Sequence, residues 1–326
     1  MSKPRHGRLP GRPLPLIAIA LLGIAVAEFV GLGLIWSRVP DDSDWVAAAS
    51  FVLEEHADGD LIASVPHWTG PVARNHLGDK MTAAEAGYSS LAGYRRFWVF
   101  SIRGHDSADA PDRPPDLQRQ FGRVTVRRWD LSPSGRVFAP VEAFEDSTVE
   151  LVAGGEAREC QPRTGPATAG GLGAGPSQPR ASRNCDPGRP HLWVGPTVIQ
   201  DFAMRPRYCI RVHPQGMEPI RIRYRDVPLG ERLVLFGGLP YVYERARKAD
   251  VYAVVRVDGE IVGRMVHHDG DGWKRMEVET RSGEDARESP DAKGEIAFEF
   301  TTPNPELRHF CWFAEVFGDA GPEAAE

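Results

Sequence analysis

The chain has 326 residues, 41 % of them hydrophobic, which is enough for more than one domain with its own core. A formal charge of −6 and a pI near 6.0 leave no overall basic field, which excludes nucleic acid as the expected partner.

Lys3, Arg5, Arg8 and Arg12 precede residues 16–36, a 21-residue apolar span whose only charge is Glu28. A helix of that length covers the roughly 30 Å of bilayer hydrocarbon, so a single transmembrane anchor is expected. Asp41, Asp42 and Asp44 follow the span, and the positive-inside rule then puts residues 1–15 in the cytoplasm. Everything beyond is extracytoplasmic, and periplasmic where the cell has an outer membrane. Ala25-Val26-Ala27 also has the form of a signal-peptide cleavage site. Cleavage there would leave the apolar residues 29–36 at the new terminus, so an uncleaved signal-anchor is the expectation. Within the span, Gly23, Ala27 and Gly31 lie at spacing four beside Glu28. Such a small-residue stripe lets helices approach closely, and a carboxyl at mid-membrane depth invites a homodimer or another membrane protein as partner.

After the anchor, residues 43–57 carry apolar side chains at helical spacing, with Ser43 or Asp44 as N-cap. Residues 60–66 read as a buried strand, much of 71–86 as a second helix, and 96–104 as a second strand. The order helix, strand, helix, strand predicts a small α/β layer over 37–130. Residues 105–116 read as a loop, PDLQRQFG as a short helix and RVTVRRW as a third strand.

The span 131–207 reads as a connector. Its residues 161–184, between Cys160 and Cys185, are rich in Gly and Pro and predict a tethered surface loop. GGLGAG within it lacks the strand and helix that a phosphate-binding glycine loop needs, and no cofactor motif is found. Residues 208–317 alternate with period two in RYCIRV, IRIRYR, RLVLFG, VYAVVRV, EIVGRMV, KRMEVET, EIAFEF and HFCWFAEV. That pattern predicts an antiparallel, jelly-roll-like β-sandwich with a hairpin turn at Asp258-Gly259, followed by an acidic tail over 318–326. The predicted class is thus α+β: anchor, α/β layer, sandwich.

An exported chain favours disulfides, and the pairings Cys160–Cys185 and Cys209–Cys311 each close a sensible unit. On the chain-entropy model they contribute on the order of 3 and 4–5 kcal/mol.

The stretch DWVAAASFVLEEHADGDLIASVPHW, and more loosely residues 44–105, resembles the extracytoplasmic soluble region of membrane glycosyltransferases that use lipid-linked sugars. That family's catalytic carboxylates lie in a many-span membrane domain, which this sequence lacks. The last 110 residues resemble galactose-binding-like sandwiches, which implies carbohydrate binding.

Ligands of open α/β sheets bind beyond the carboxyl ends of the strands. His67, Trp68, Arg74 and Asp79 follow the first strand, and Arg103 and His105 follow the second. If the strands are parallel neighbours, Arg74 and Arg103 can hold an anion while Trp68 stacks on a sugar. HHDGDGW (267–273) reads as a hairpin turn rather than a metal site. IRIRYR puts Arg221, Arg223 and Arg225 on one strand face, either paired to neighbouring glutamates or open to an anionic glycan. No catalytic constellation is assigned. The expected function is non-catalytic binding of a glycan or other cell-envelope polymer; the alternative is an extracytoplasmic transferase or hydrolase acting through the 61–81 rim.

Overall fold

The computed structural model describes residues 14–81, 87–132, 135–163, 179, 181–186, 188, 189, 191–281 and 292–318. Most of the 161–184 loop with GGLGAG, most of the basic N-terminal tail and nearly all of the acidic C-terminal tail lie outside the described residues. The first element, α1 (Leu14–Trp36), is long and apolar enough to cross a membrane, and its stretch Ala18–Trp36 is not buried. Gly23, Ala27 and Glu28 are exposed on it and Gly31 is half-exposed.

The next element, α2 (Asp42–Glu55), has its N-cap two and three positions ahead of the two expected ones. Asp41 is the N-cap in place of Ser43 or Asp44, and its N–H donates to the Asp44 carboxylate at 3.1 Å. Carboxylates in a first turn also face the positive end of the helix dipole. Then come β1 (Asp60–Val65), a 3-10 turn at His67–Thr69, α3 (Gly70–Leu77), β2 (Arg96–Ile102), β3 (Leu117–Phe121) and β4 (Val124–Asp130). The second helix ends at Leu77 and gives way to a 3-10 turn at Gly78–Met81; the rest of the expected 71–86 span is outside the described residues.

PDLQRQFG is not a helix. Its core is β3, paired antiparallel with β4 from Leu117↔Arg128 to Phe121↔Val124 across a turn in which Gly122 has φ 53°. The polar residues of LQRQF face water on an edge strand, and pairing overrides their helical propensity. The sheet order is β1-β2-β4-β3, with β1 and β2 parallel. Trp45, Ala48 and Val52 of α2 pack with Ile62, Trp98, Phe100 and Val126 on one face. Leu61, Ala63, Phe97, Val99 and Trp129 cover the other face with Tyr88.

From Arg136 the chain is mainly strand: β5 (Arg136–Phe138), β6 (Thr148–Ala153), β7 (Glu156–Glu159), β8 (Gln161–Pro162), β9 (Arg183–Asn184), β10 (Trp193–Gln200), β11 (Pro206–Val212), β12 (Ile220–Pro228), β13 (Arg232–Gly238), then the short helix α4 (Tyr241–Glu244), β14 (Val251–Val257), β15 (Glu260–His267), β16 (Lys274–Glu279), β17 (Lys293–Thr301) and β18 (Phe310–Phe317). They form two sheets. The eight-stranded one runs β16-β13-β18-β11-β10-β9-β8, with β5 also paired to β18; the six-stranded one runs β15-β14-β17-β12-β6-β7. All eight alternating segments of 208–317 are strands, and β5 to β10 add further strands to both sheets. At the hairpin between β14 and β15, Asp258 and Gly259 have φ 47° and 86°, the double positive-φ turn that suits a twisted two-strand ribbon.

The inner faces meet through Ile210, Leu233, Leu235, Phe310, Trp312 and Val316 on one side and Ile220, Ile222, Val255, Phe298 and Phe300 on the other. Phe298 lies 4.3 Å from Trp312 between ring centres. Cys160 is bonded to Cys185, and Cys209 on β11 to Cys311 on β18.

Candidate functional site

The outer face of the eight-stranded sheet is covered by loops of the α/β layer. Tyr88 donates its N–H to the Pro206 carbonyl at 3.3 Å, and the Ser89 hydroxyl donates to the Tyr208 carbonyl at 2.6 Å. Below them lies a buried ionic network. The Asp109 carboxylate accepts from Arg205 and Arg207, both at 3.0 Å, and from the Tyr88 hydroxyl at 2.8 Å. Asp201 accepts from the same two arginines at 3.1 and 2.9 Å. Burial pushes the Asp109 carboxyl up, but the two guanidiniums outweigh it and hold the group below the ordinary aspartate range. Asp109 belongs to the α/β layer and the arginines to the sandwich, so the network ties one to the other.

Where the two parts do not touch, they leave a cleft of about 620 Å³. Its floor is the outer face of β13, β16 and β18, through Arg232, Val234, Phe236, Arg275, Glu315 and Phe317, and its wall is residues 88–92 and 108–113. Strand alternation explains this floor: Leu233, Leu235, Ala314 and Val316 point into the sandwich core, so their neighbours in sequence point out. Arg232 lies over the Phe317 ring, 4.7 Å from its centre, and shares the Glu277 carboxylate with Arg275.

Glu315 is the unusual member of the floor. It is 1 % exposed and borders both this cleft and a smaller adjoining cavity of about 160 Å³. Oε1 accepts from Arg136 at 3.3 Å, while Oε2 is buried with no hydrogen-bond partner among the described residues. Burial pushes the Glu315 carboxyl above the ordinary glutamate value, against the pull of Ser90 and Arg136. A buried acceptor without a donor is costly and recurs where a ligand supplies the donor.

The residues singled out at the strand ends are divided. The strands β1 and β2 are parallel neighbours, so both groups follow one sheet edge. His67 and Arg74 line a cavity of about 20 Å³ with Ser64, Tyr88 and Gln200. Nε and Nη2 of Arg74 are buried there without partners among the described residues, and burial lowers the pKa of His67. Trp68 is 63 % exposed, and Asp79, Arg103 and His105 are exposed. None of these four lines that cavity. In HHDGDGW, every acidic or basic group has a partner within the fold: His267 with Glu244 at 2.8 Å, His268 with Asp250 at 2.8 Å, Asp269 with Arg308 at 2.6 Å and Asp271 with Lys274 at 2.8 Å.

The cleft residues were missed in the sequence because they come from seven separated segments. One signal was visible: Glu315 is the single carboxylate of HFCWFAEV, and Arg207 with Arg211 are the charges of RYCIRV, in mainly apolar strands where a buried charge requires a partner.

No family model matches the chain, and no curated protein matches it. Solved structures give partial likenesses. One is a CBM51-2 with INT domains from Clostridium perfringens ZmpB in complex with GlcNAc, 15 % identical over 39 % of this chain and 26 % of that one, with a TM-score of 0.28. Another is a CBM51 from Clostridium perfringens GH95 in complex with methyl-galactose, 12 % identical over 37 % of this chain and 81 % of that one, with a TM-score of 0.27. A third is the mannan-recognising module TmCBM27, 11 % identical over 37 % and 78 % of the two chains, with a TM-score of 0.22. At such TM-scores the likeness carries no argument about this chain.

Proposed function

We infer that this is a single-pass, membrane-anchored extracytoplasmic protein that binds a glycan or another cell-envelope polymer without chemistry, seating the saccharide in the cleft between the α/β layer and the eight-stranded sheet. The observation that carries the reading is the lining: Phe236 offers ring surface, Ser90 a hydroxyl and Glu315 a buried acceptor, around a volume of about 620 Å³. Apolar walls with a few convergent polar groups, in a space of several hundred Å³, are what small-ligand sites have in common. The cleft carries this better than the 61–81 rim, because the cavity at His67 and Arg74, about 20 Å³, has room for about one water molecule and none for a sugar. An exported location is supported by the two disulfides and by the apolar helix α1.

The test is a glycan array probed with the full-length protein in detergent, followed by calorimetric titration of the saccharides retained. The reading expects saturable binding that Phe236→Ala, which removes the ring from the cleft floor, clearly weakens while the fold remains intact by circular dichroism. Absence of any saccharide binding, or binding indifferent to Phe236→Ala, overturns it.

A further inference from the structure

We propose that Glu315 is the residue that reads the saccharide: its free Oε2 accepts a hydrogen bond from a ligand hydroxyl, so the cleft selects neutral sugars and binding is coupled to ionisation of this carboxyl. The proposal rests on the binding reading above and deepens it.

The geometry is specific about what can sit at this oxygen. Oε1 is engaged by Arg136, Oε2 is buried and unpaired among the described residues, and Glu315 borders both the cleft and the smaller cavity. Its complement must be a hydrogen donor. Sugar hydroxyls are donors; the carboxylate, sulfate or phosphate group of an acidic sugar is not, and even where such a sugar presents a hydroxyl it brings a second negative charge towards a buried carboxylate. Arg232 and Arg275 share the single carboxylate of Glu277, which offsets one of their two charges, and Arg207 is committed to Asp109 and Asp201; an acidic probe tests whether the remaining charge outweighs Glu315.

A hydroxyl donating to the carboxylate stabilises the ionised form, so the pKa of Glu315 is lower in the complex than in the free protein. In the interval between the two values, molecules that begin protonated release that proton to the buffer when they bind. Affinity must then fall with acidification, by at most about tenfold per pH unit for a single linked proton. The groups facing Glu315 are Arg136 from β5, Glu142 from the turn after it, and Ser90 from the α/β layer. Across the cleft stand Tyr88, Asp109, Asp112, Arg113, Arg207, Arg232 and Arg275. Glu142 shares Arg136 with Glu315 and lines the smaller cavity, so the control is taken elsewhere: Glu295, on the outer face of the six-stranded sheet with Arg223 and Arg225, lines neither cavity, and Glu295→Gln is the control.

Full-length protein in detergent is titrated with maltotriose, cellotriose and N,N′-diacetylchitobiose between pH 4.5 and 7.5, in buffers of different ionisation enthalpy. A trimer of galacturonic acid serves as the acidic probe. The expected result is binding of at least one neutral probe with net proton release at the acid end, the release being unchanged by Glu295→Gln and abolished in Glu315→Gln, which also binds about tenfold more weakly. The wild-type proton count is decisive even if Glu315→Gln does not fold. Binding with no proton exchange, or with proton uptake, overturns the role of Glu315 and leaves the cleft reading intact, as does tighter binding of the acidic trimer. No binding of any probe overturns both.

Discussion

The two outer faces of the sandwich carry similar charges and treat them in opposite ways. On the six-stranded sheet, Arg221 pairs with Glu299 at 2.7 Å and Arg225 with Glu295 at 3.3 Å. There too, Arg223 meets Glu150 and Arg256 reaches Glu299 at 3.1 Å. Each carboxylate comes from a strand paired to the arginine's own, so the stripe is a cross-strand ladder of a solvated face. On the eight-stranded sheet the charges are sealed beneath the α/β layer; Arg207 is 2 % exposed and Glu315 1 %, and one carboxylate oxygen is left over. Charge by itself therefore does not mark a site. An unmet hydrogen bond does not mark one either, since Oε2 of Glu150 on the six-stranded face is also buried without a partner among the described residues; what distinguishes the second face is that its unpaired acceptor belongs to a residue bordering a cleft.

The comparison breaks most visibly at Asp109. Replacing it by alanine removes the α/β layer's share of the network and leaves Arg205 and Arg207 with Asp201 alone beneath the covering loops. Removing one partner of a buried ion pair costs about 3–5 kcal/mol, because the uncompensated charge remains buried. Chemical denaturation of Asp109→Ala should show a loss of that order, and saccharide binding should fail at temperatures where the sandwich is still folded. A loss below about 1 kcal/mol would mean that the two outer faces do not differ energetically.

A smaller effect separates groups within the sealed face by pH. His213 and His309 sit with their Nδ1 atoms 3.2 Å apart beside Arg211, and burial, with help from Arg211, pushes their pKa values down to about 3 and about 2. A base whose folded pKa is depressed binds its proton more readily when unfolded. Stability from this pair is therefore complete above the ordinary histidine value of 6.5 and is lost progressively as pH falls from there toward 3. Glu315 acts in the opposite sense: its folded pKa is raised, so its contribution is greatest below the ordinary value of 4.5 and is lost as pH rises through the folded value. Denaturation at a series of pH values should therefore give a slope between pH 6.5 and 4.5 that flattens in the double variant His213→Gln/His309→Gln and steepens in Glu315→Gln. An unchanged slope in both would show that neither group is desolvated in the folded protein.

How much of this the sequence disclosed follows from the range of the interactions involved. The eight strands of 208–317 were legible because alternation is local, and so was the apolar helix, a continuous run that needs no partner. The edge strand β3 was misread because LQRQF is polar enough to suit a helix, and only its pairing with β4 decides the matter. The cleft was not legible at all. Its wall and floor are about 120 to 230 residues apart in sequence, as with Ser90 and Arg207 or Tyr88 and Phe317, and no spacing rule connects them. The arginine stripe, conspicuous in sequence, meets carboxylates on adjacent strands; the lone acid of HFCWFAEV, inconspicuous in sequence, borders the cleft with one oxygen unpaired among the described residues.

The smallest expected effect tests the solvated face. Arg225 is 63 % exposed at its side chain and meets Glu295 at 3.3 Å, a geometry in which water screens most of the attraction and fixing a long side chain cancels part of the rest. Arg225→Ala should change stability by less than about 0.5 kcal/mol in denaturant titrations and leave saccharide affinity unaltered. Arg223 is more enclosed, 19 % exposed between Glu150 and Glu295, so Arg223→Ala should cost about 1 kcal/mol or somewhat more while still leaving binding untouched. If the stripe were the glycan surface instead, both variants would weaken binding in parallel, and the more exposed Arg225 would matter more because it is the one a ligand could reach. The order of the two effects thus decides between ladder and site: a stability cost graded by burial with unchanged affinity belongs to the ladder, and an affinity loss graded by exposure would move the binding surface to the six-stranded sheet.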